Sequence, residues 1–527
     1  MSTSIAQHQN LSEAKVASIV QGLRKSFLKG TTRSREWRVK TLRTFQKMMI
    51  EKRSEFQAAL KADLNKSPEQ SWLTELNLVE QDIQLALDHL DEWSNPTSVN
   101  TDIVNILGGG QSEIHHEPLG VIALYGAWNY PFILTLQPLV GAIAAGNCVL
   151  VKTPSPKYSK HSAETMLRIC NTYFDQDTIR FIGGGREVTQ GMFKCRFDHA
   201  FLTGSVANGK RLARACAEFL TPCTLELGGK SPCIIDKSCN VATAAQRATW
   251  GSLLNSGQTC IRPDYNFVHR DVAEEFIQET IKTLKSFHSG NSKTSDYYGR
   301  MINHGAWDRV TGLLEPEEKA GRIRYGGESD RDGRYIQPTI VDYANDWDAF
   351  VSSPIMADEV FGPIIPVVQY TDLDRVLEYI NNHEKPLVAH VFTSNNKVAE
   401  DVLHYTSSGS ACVNDAMIWM SNHDLPFGGV GNSGVGAYHG KSTFDLFSHH
   451  KSVLKKSLLL DLAAPWRYPP YNRPLQMTLV GVLQYPYSGL QKSILKWTFY
   501  ILFYLLAKKW GIVGVLRDFA VQLLGML

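Results

Sequence analysis

Two residues in this 527-residue chain join a reactive side chain to surroundings that suit chemistry. Cys260 lies in NSGQTCIRPD (255–264), flanked by Gly257, polar residues and Arg262, whereas Cys148 and Cys233 sit inside apolar runs. A thiol beside a glycine turn and a cation is where a lowered pKa and a nucleophilic thiolate are expected. The competing reading is a small buried core residue, the common role of a free cysteine. Glu226 interrupts the apolar run CTLEL (223–227) and is followed by Gly228 and Gly229. A carboxylate in such a run is either satisfied structurally or poised as a base by desolvation. An activated thiol forms covalent intermediates, and a carboxyl of raised pKa can draw a proton from water.

Two other patterns imitate phosphate sites. Gly429, Gly431 and Gly434 spell G-x-G-x-x-G, but the residues before them are SNHDLPF. Pro426 there speaks against the central strand that a dinucleotide fingerprint requires. GSVANGK (204–210) looks like a P-loop, with Arg211 where a Ser or Thr would hold magnesium, so triphosphate hydrolysis is not expected. That stretch does follow a strand-like run (HAFLT) and opens a helical one, which suits a dinucleotide phosphate held by backbone N–H groups. No G-x-S-x-G and no HExxH occurs, which removes the commonest serine-hydrolase and zinc-protease readings.

Elements must position these residues. Val16, Ile19, Val20, Leu23 and Phe27 recur at helical spacing, and residues 11–93 read as helical throughout. Short apolar runs follow at 120–126, 147–152, 177–182, 199–203 and 223–227, with helix-length segments at 131–145, 157–174 and 206–219. Strands alternating with helices predict a parallel sheet covered on both faces, hence an α/β fold. A second alternating region spans about 232–415, with strand-like runs near 264–269, 363–370, 388–393 and 410–414.

At ~150 residues per domain the length suggests two to four domains. Hydrophobic residues make up 43% and charged ones 20%, which excludes a wholly disordered, collagen-like or polytopic membrane chain. Nine cysteines without a CxxC pair form neither a disulfide framework nor a zinc-ligand spacing, so no metal is expected and a reducing compartment is. The start, MSTSIAQHQNLSEAK, lacks the apolar core of a secretory signal. A net charge of +2 argues against a dedicated nucleic-acid binder.

The +2 conceals an asymmetry: residues 451–527 carry +8 and the first 450 residues −6. In the basic tail, WTFYILFYLLA (497–507) and WGIVGVL (510–516) flank Lys508 and Lys509. Neither run alone reaches the ~18 apolar residues of a spanning helix. A tilted span with snorkelling lysines and a helix lying in the interface both remain open. The five aromatics from Trp497 to Tyr504 and the basic charge favour attachment to an anionic membrane.

LELGGKSP (225–232), followed by GQTCIRPDY (257–265), resembles the two active-site signatures of the aldehyde dehydrogenase superfamily. The likeness extends through YGAWNYPF (125–132), AGNCVLVK (145–152), FLTGSVANG (201–209), DEVFGP (358–363), CVNDA (412–416) and LPFGGVGNSGVGAYHGKSTFDLFSH (425–449). With RYPPY (467–471), the last block is most similar to the class 3 or fatty aldehyde dehydrogenase branch. The resemblance implies a Rossmann-type cofactor domain (1–97 and 120–226), an α/β catalytic domain (227–433), a β-hairpin oligomerisation element (98–119 and 434–452) and the membrane-attaching helical tail (453–527). It implies that Cys260 attacks an aldehyde, that the Asn129 amide and the Cys260 N–H hold the oxyanion, and that Glu226 activates the hydrolytic water. It implies NAD as cofactor, with NADP possible. Lys152 would reach the adenosine ribose, Gly204 and Ser205 the pyrophosphate, and Glu359 and Phe361 the nicotinamide ribose and ring. Trp128 either lines that cleft or fills core.

One position departs from the branch, which usually has Lys-Pro-Ser-Glu where this chain reads Lys152-Thr153-Pro154-Ser155-Pro156. Ser155 then stands where an acid would bind the ribose 2′-hydroxyl and repel a 2′-phosphate, with Lys157 and Lys160 close in sequence, so NADP is expected to be tolerated. The expectation is an NAD(P)-dependent enzyme that takes long-chain or lipophilic aldehydes to acids. An apocarotenal or aromatic aldehyde dehydrogenase is the alternative, and a coenzyme-A-acylating enzyme a further one that Glu226 argues against. A homodimer is expected, intracellular, with its catalytic body facing the cytosol and its tail on the endoplasmic reticulum, a lipid droplet or the mitochondrial outer membrane.

Overall fold

A computed structural model describes residues 11–106 and 109–458, together with Pro469. The apolar runs of the tail lie outside the described residues. Among those described, no helix is long and apolar enough to cross a membrane. The described backbone divides into two compact units, one formed by the residues up to Pro96 with His115–Lys451 and the other by Thr97–Ile114 with the described residues from Ser452 onward.

The larger unit begins with helices. Glu13–Leu28 is capped by the Ser12 side chain, which accepts from the Lys15 N–H, and it buries Val16, Ile19, Val20, Leu23 and Phe27 as their spacing predicts. Helices Arg35–Glu51, Arg53–Leu64 and Asn77–Ser94 follow, with a π-helical turn at Trp72–Leu76 between the last two.

A six-stranded sheet runs in the order Gly434–Val435, Cys223–Glu226, His199–Thr203, Val121–Tyr125, Cys148–Lys152, Ile179–Ile182. Five strands are parallel, and the Gly434–Val435 edge pairs antiparallel with Leu225 and Glu226. Side chains alternate between two apolar layers, as a doubly covered sheet demands. Ile122, Leu124, Val149 and Val151 pack with helix Ile133–Ala144, while Val121, Ala123 and Leu150 pack with Val16 and Leu212. Strand order reverses beside Val121–Tyr125, and a crevice outside the carboxyl ends of strands at such a switch point is where open α/β sheets bind ligands.

A seven-stranded sheet follows in the order Ile323–Tyr325, Thr339–Asp342, Ile364–Tyr370, Tyr265–His269, Pro232–Ile235, Val388–Phe392, Ser410–Val413. All its pairings are parallel except that of Ile323–Tyr325. The smaller unit holds Thr97–Val99 paired antiparallel with Ser112–Ile114, and Lys455 pairs with Glu113 at 2.7 Å.

Candidate active site

The nucleophile candidate sits on a strained loop. Helix Val241–Leu253 ends in a turn where Asn255 and Ser256 adopt φ of +55° and +54°, and Gly257 follows at +76°. Only glycine fits at 257, because a Cβ there would lie 2.2 Å from the Gly362 carbonyl oxygen. Non-glycine residues in this region cost energy and persist where surroundings over-determine them. Here the determinants are mutual: Gln258 Nε2 donates to Asn255 O at 2.9 Å, and Ile302 N donates to Gln258 Oε1 at 2.9 Å.

Asn129 lies in the turn after strand Val121–Tyr125 and is buried against this loop. Its Nδ2 donates to Gln258 O at 3.1 Å, its carbonyl accepts from Asn255 Nδ2 at 2.8 Å, and Tyr130 Oη meets Thr259 Oγ1 at 2.8 Å. One hydrogen of an amide remains after the bond to Gln258.

Glu226 ends its strand fully buried, and neither carboxyl oxygen has a hydrogen-bond partner among the described residues. Burial holds its pKa well above the usual carboxylate range. The glycine-rich segment that imitates a dinucleotide fingerprint forms the edge strand beside it: Gly434 pairs with Glu226, and Leu227 N donates to Ser433 O at 3.0 Å. A Cβ at Gly429 would lie 2.2 Å from Ser433 O, so those glycines serve a tight backbone turn.

Cys260 is partly exposed to the cleft, and its thiol departs from the sequence expectation. Burial, then the charges of Glu359 and Glu226, push it up to about 12, while the Cys260 and Ile261 backbone N–H groups oppose the rise. Arg262 does not lower it. That guanidinium is buried and donates to the Gly362 and Ile364 carbonyls. Neighbours in sequence are here pointed at different partners.

Glu359 is raised to about 8, chiefly by burial, and Gly229 donates a backbone hydrogen bond to it. A Cβ on Gly228 would come within 2.0 Å of Glu359 Oε2, so that glycine admits the carboxyl. Asp264 ties the segment down, accepting from Lys230 Nζ at 2.7 Å and from Val360 N at 3.2 Å. Phe361 adopts φ +44° and meets the Trp128 ring edge-on at 5.6 Å.

Asn129, Glu226, Cys260, Glu359 and Phe361 open on one cleft of about 1470 Å³, and Trp128 lines it. Its far lining includes Lys152, Ser155, Lys157, Arg186, Gly204 and Ser205. Lys152 is buried and lowered to about 8 by desolvation alone; its Nζ donates to Thr153 O at 3.1 Å. Ser205 caps helix Val206–Ala217, whose first N–H groups have no intrahelical acceptor and suit an anion. The described acids of the lining are Glu226, Asp358 and Glu359, so the Lys157 and Arg186 region carries none. Lys160 does not line the cleft but starts helix Lys160–Tyr173.

The sequence alone did not single out Lys66, Glu75, Asn255, Gln258 or Arg186. Gln258 and Asn255 flank Cys260 within the same motif, and that adjacency was their only signal.

The aldehyde dehydrogenase family profile matches residues 1–453. The rat protein named aldehyde dehydrogenase, dimeric NADP-preferring, is 40% identical over 459 residues, 87% of this chain and 98% of its own length. Aldehyde dehydrogenase family 3 member A2 of Pongo abelii is 41% identical over 454 residues, 86% of this chain and 91% of its own. Among solved structures, substrate-bound AldH of Staphylococcus aureus superposes with a TM-score of 0.84 at 36% identity, covering 88% of this chain and 98% of that one. An NAD+ complex of a Bacillus cereus aldehyde dehydrogenase has a TM-score of 0.74 at 24% identity, covering 84% and 89%, which speaks to the fold alone.

Proposed function

The chain belongs to the aldehyde dehydrogenase family, and from that premise we propose that it oxidises long-chain or otherwise lipophilic aldehydes to carboxylic acids with NAD or NADP. The observation that carries the reading is the convergence of Cys260, the Asn129 amide and the unpartnered Glu226 carboxyl on one cleft.

The Cys260 thiol gives up its proton to solvent, and the thiolate adds to the aldehyde carbon. The free hydrogen of the Asn129 amide and the Cys260 N–H meet the oxyanion, a contact whose loss typically costs ~10²–10³ in turnover. Collapse of the oxyanion expels hydride and leaves a thioester on Cys260. Glu226 then takes a proton from water, which attacks the thioester, frees the acid and restores the thiol. A bound nicotinamide dinucleotide supplies the hydride acceptor. Lys152, Gly204, Ser205, Glu359, Phe361 and Trp128 are the residues that would hold it, and the buried Lys152 cation with no carboxylate beside it suits a ribose hydroxyl. Lys157 and Arg186, with Ser155 in place of an acid, support acceptance of a 2′-phosphate.

Lipophilic substrates are supported by Phe427, Tyr438, Ile302 and Ala306 in the cleft wall and by the basic, aromatic tail. A homodimer is part of the reading, as the rat relative's name includes the word dimeric. So are a cofactor domain of residues 1–97 and 120–226, a catalytic domain of 227–433, an oligomerisation element of 98–119 and 434–452, and membrane attachment through 453–527.

Turnover across benzaldehyde, hexadecanal and an apocarotenal in detergent, with Cys260→Ala as control, tests the reading. Hexadecanal should lead, and the variant should be inactive. Turnover by Cys260→Ala sinks the site assignment, and a preference for benzaldehyde sinks the substrate class. A chain ending at Lys456 should leave the membrane fraction and keep activity on short aldehydes; if it still pellets, the tail is not the anchor.

A further inference from the structure

Lys66 and Glu75 form an ion pair of 2.6 Å in which both side chains are fully buried. Such a pair is weak as a stabiliser. Desolvation offsets its attraction, and apolar residues of similar volume often serve stability equally well. What distinguishes this pair is where its remaining valences go. Lys66 Nζ also donates to the carbonyl of Asn129 at 3.3 Å and stands 3.7 Å from the centre of the Tyr130 ring. Glu75 Oε2 accepts from Phe132 N at 2.9 Å and from Ile133 N at 3.4 Å. Phe132 is the N-cap of helix Ile133–Ala144 and makes no side-chain capping bond, so Glu75 caps that helix from another part of the chain.

The two partners thus grip opposite ends of the segment 129–133. Glu75 projects from the π-helical turn Trp72–Leu76, an irregularity frequent at functional sites and one that redirects a side chain relative to a regular helix. With Asn255 Nδ2 on the same carbonyl at 2.8 Å, the Asn129 backbone is held from two sides.

We propose that Lys66 and Glu75 are positioning residues that fix the Asn129 amide where the oxyanion forms. This rests on the reading of Asn129 as the oxyanion donor. An amide displaced by about 1 Å forfeits much of its effect on the transition state, a loss on the order of 10²-fold.

The test compares two reactions of Cys260 in the full-length protein. Hydrolysis of p-nitrophenyl acetate passes through an oxyanion and needs no cofactor, whereas alkylation by iodoacetamide forms none. Lys66→Met should lower kcat for ester hydrolysis and for aldehyde oxidation 10- to 100-fold, with KM for the cofactor and the alkylation rate within twofold of the unaltered protein. Lys66→Met with Glu75→Leu removes the pair as an apolar replacement and should stay folded by thermal melt while showing the same kcat loss. Glu75→Gln keeps an acceptor for the two N–H groups and should lose less than Glu75→Leu.

A folded double variant with unchanged ester hydrolysis overturns the inference and leaves the site assignment intact. Parallel loss of hydrolysis and alkylation also overturns it, since that is the mark of a general structural role. If Asn129→Ala leaves ester hydrolysis unchanged, the oxyanion reading itself falls and the inference with it.

Discussion

The thiol of Cys260 offers the sharpest quantitative test. With a pKa of about 12 against an ordinary 9, its thiolate fraction at pH 7 falls about 10³-fold, to about one part in 10⁵. A thiolate of higher basicity is intrinsically more nucleophilic, with a Brønsted slope of about 0.4–0.5, which recovers part of the loss. Because the value of about 12 includes carboxylate charges that are not fully developed at pH 7, the net expectation is alkylation by iodoacetamide slower than that of an ordinary peptide thiol by up to roughly 30- to 60-fold at pH 7. The pH profile carries more information. Glu359 titrates near 8, so it is neutral below that pH and charged above it. The rise of the thiol to about 12 already includes the Glu359 charge, so the logarithm of the alkylation rate should climb with unit slope to about pH 8, then more gently as that carboxylate forms and the thiol reaches its full value. Glu359→Gln should restore unit slope above pH 8 and change little below it. The assay is inactivation of the cofactor-free protein between pH 6 and 10, with the alkylated peptide identified by mass. A plateau below pH 8 would mean a depressed thiol pKa and would refute the desolvation argument.

Three further outcomes are expected. Gly228→Ala places a Cβ 2.0 Å from Glu359 Oε2, the mobile end of a side chain, so Glu359 should swing aside without unfolding; KM for the cofactor should rise about tenfold while alkylation of Cys260 at pH 7 is unchanged, and an unchanged KM would detach Glu359 from the cofactor. Because the pKa of Glu359 is raised on folding from 4.5 to about 8, the folded state holds a proton that the unfolded state releases. Its stability penalty is absent below pH 4.5, grows through that window and is complete above 8, so Glu359→Gln should gain stability toward high pH by a few kcal/mol in urea titrations, and a gain independent of pH would contradict the linkage. Ser155→Glu should lower kcat/KM for NADP at least tenfold and spare NAD, measured by steady-state kinetics; equal losses for both would mean that position 155 does not face the 2′-carbon.

Much of the scaffold was legible in the chain because doubly covered parallel strands are continuous apolar runs. The runs at 120–126 and 147–152 became Val121–Tyr125 and Cys148–Lys152 with ends displaced by a residue. Pro232–Ile235 and Thr339–Asp342 are not among those runs; the first opens on proline, a residue that speaks against a central strand. Glu226 betrayed itself as a charge in an apolar run. Lys66 and Glu75 could not: in NKSPEQSWLTEL they look like two charges on a solvated helix, and burial at 0% comes only from tertiary packing. Arg262 points away from the thiol because adjacency in sequence through a turn says nothing about direction, and a buried guanidinium goes where carbonyls satisfy it.

The charge layout of the cleft has a consequence for the proposed mechanism. Cations line the cleft at Lys152, Lys157 and Arg186, whereas burial raises both carboxyls beside Cys260, Glu226 well above the usual carboxylate range and Glu359 to about 8, which favours their neutral forms. A protonated carboxyl repels neither a thiolate nor the oxyanion that follows, and in a low-dielectric site that repulsion would otherwise be severe. In the proposed mechanism the same burial sets a limit on the second half of the reaction. Glu226 acts there as a base only when ionised, and desolvation makes that form more basic and less populated. Acylation therefore profits from the neutral carboxyl that deacylation must first ionise. On that reading one buried side chain serves both halves because they follow in sequence: the first oxyanion is gone before the base is required, and the carboxyl is neutral again, having taken the proton from water, as the second oxyanion forms.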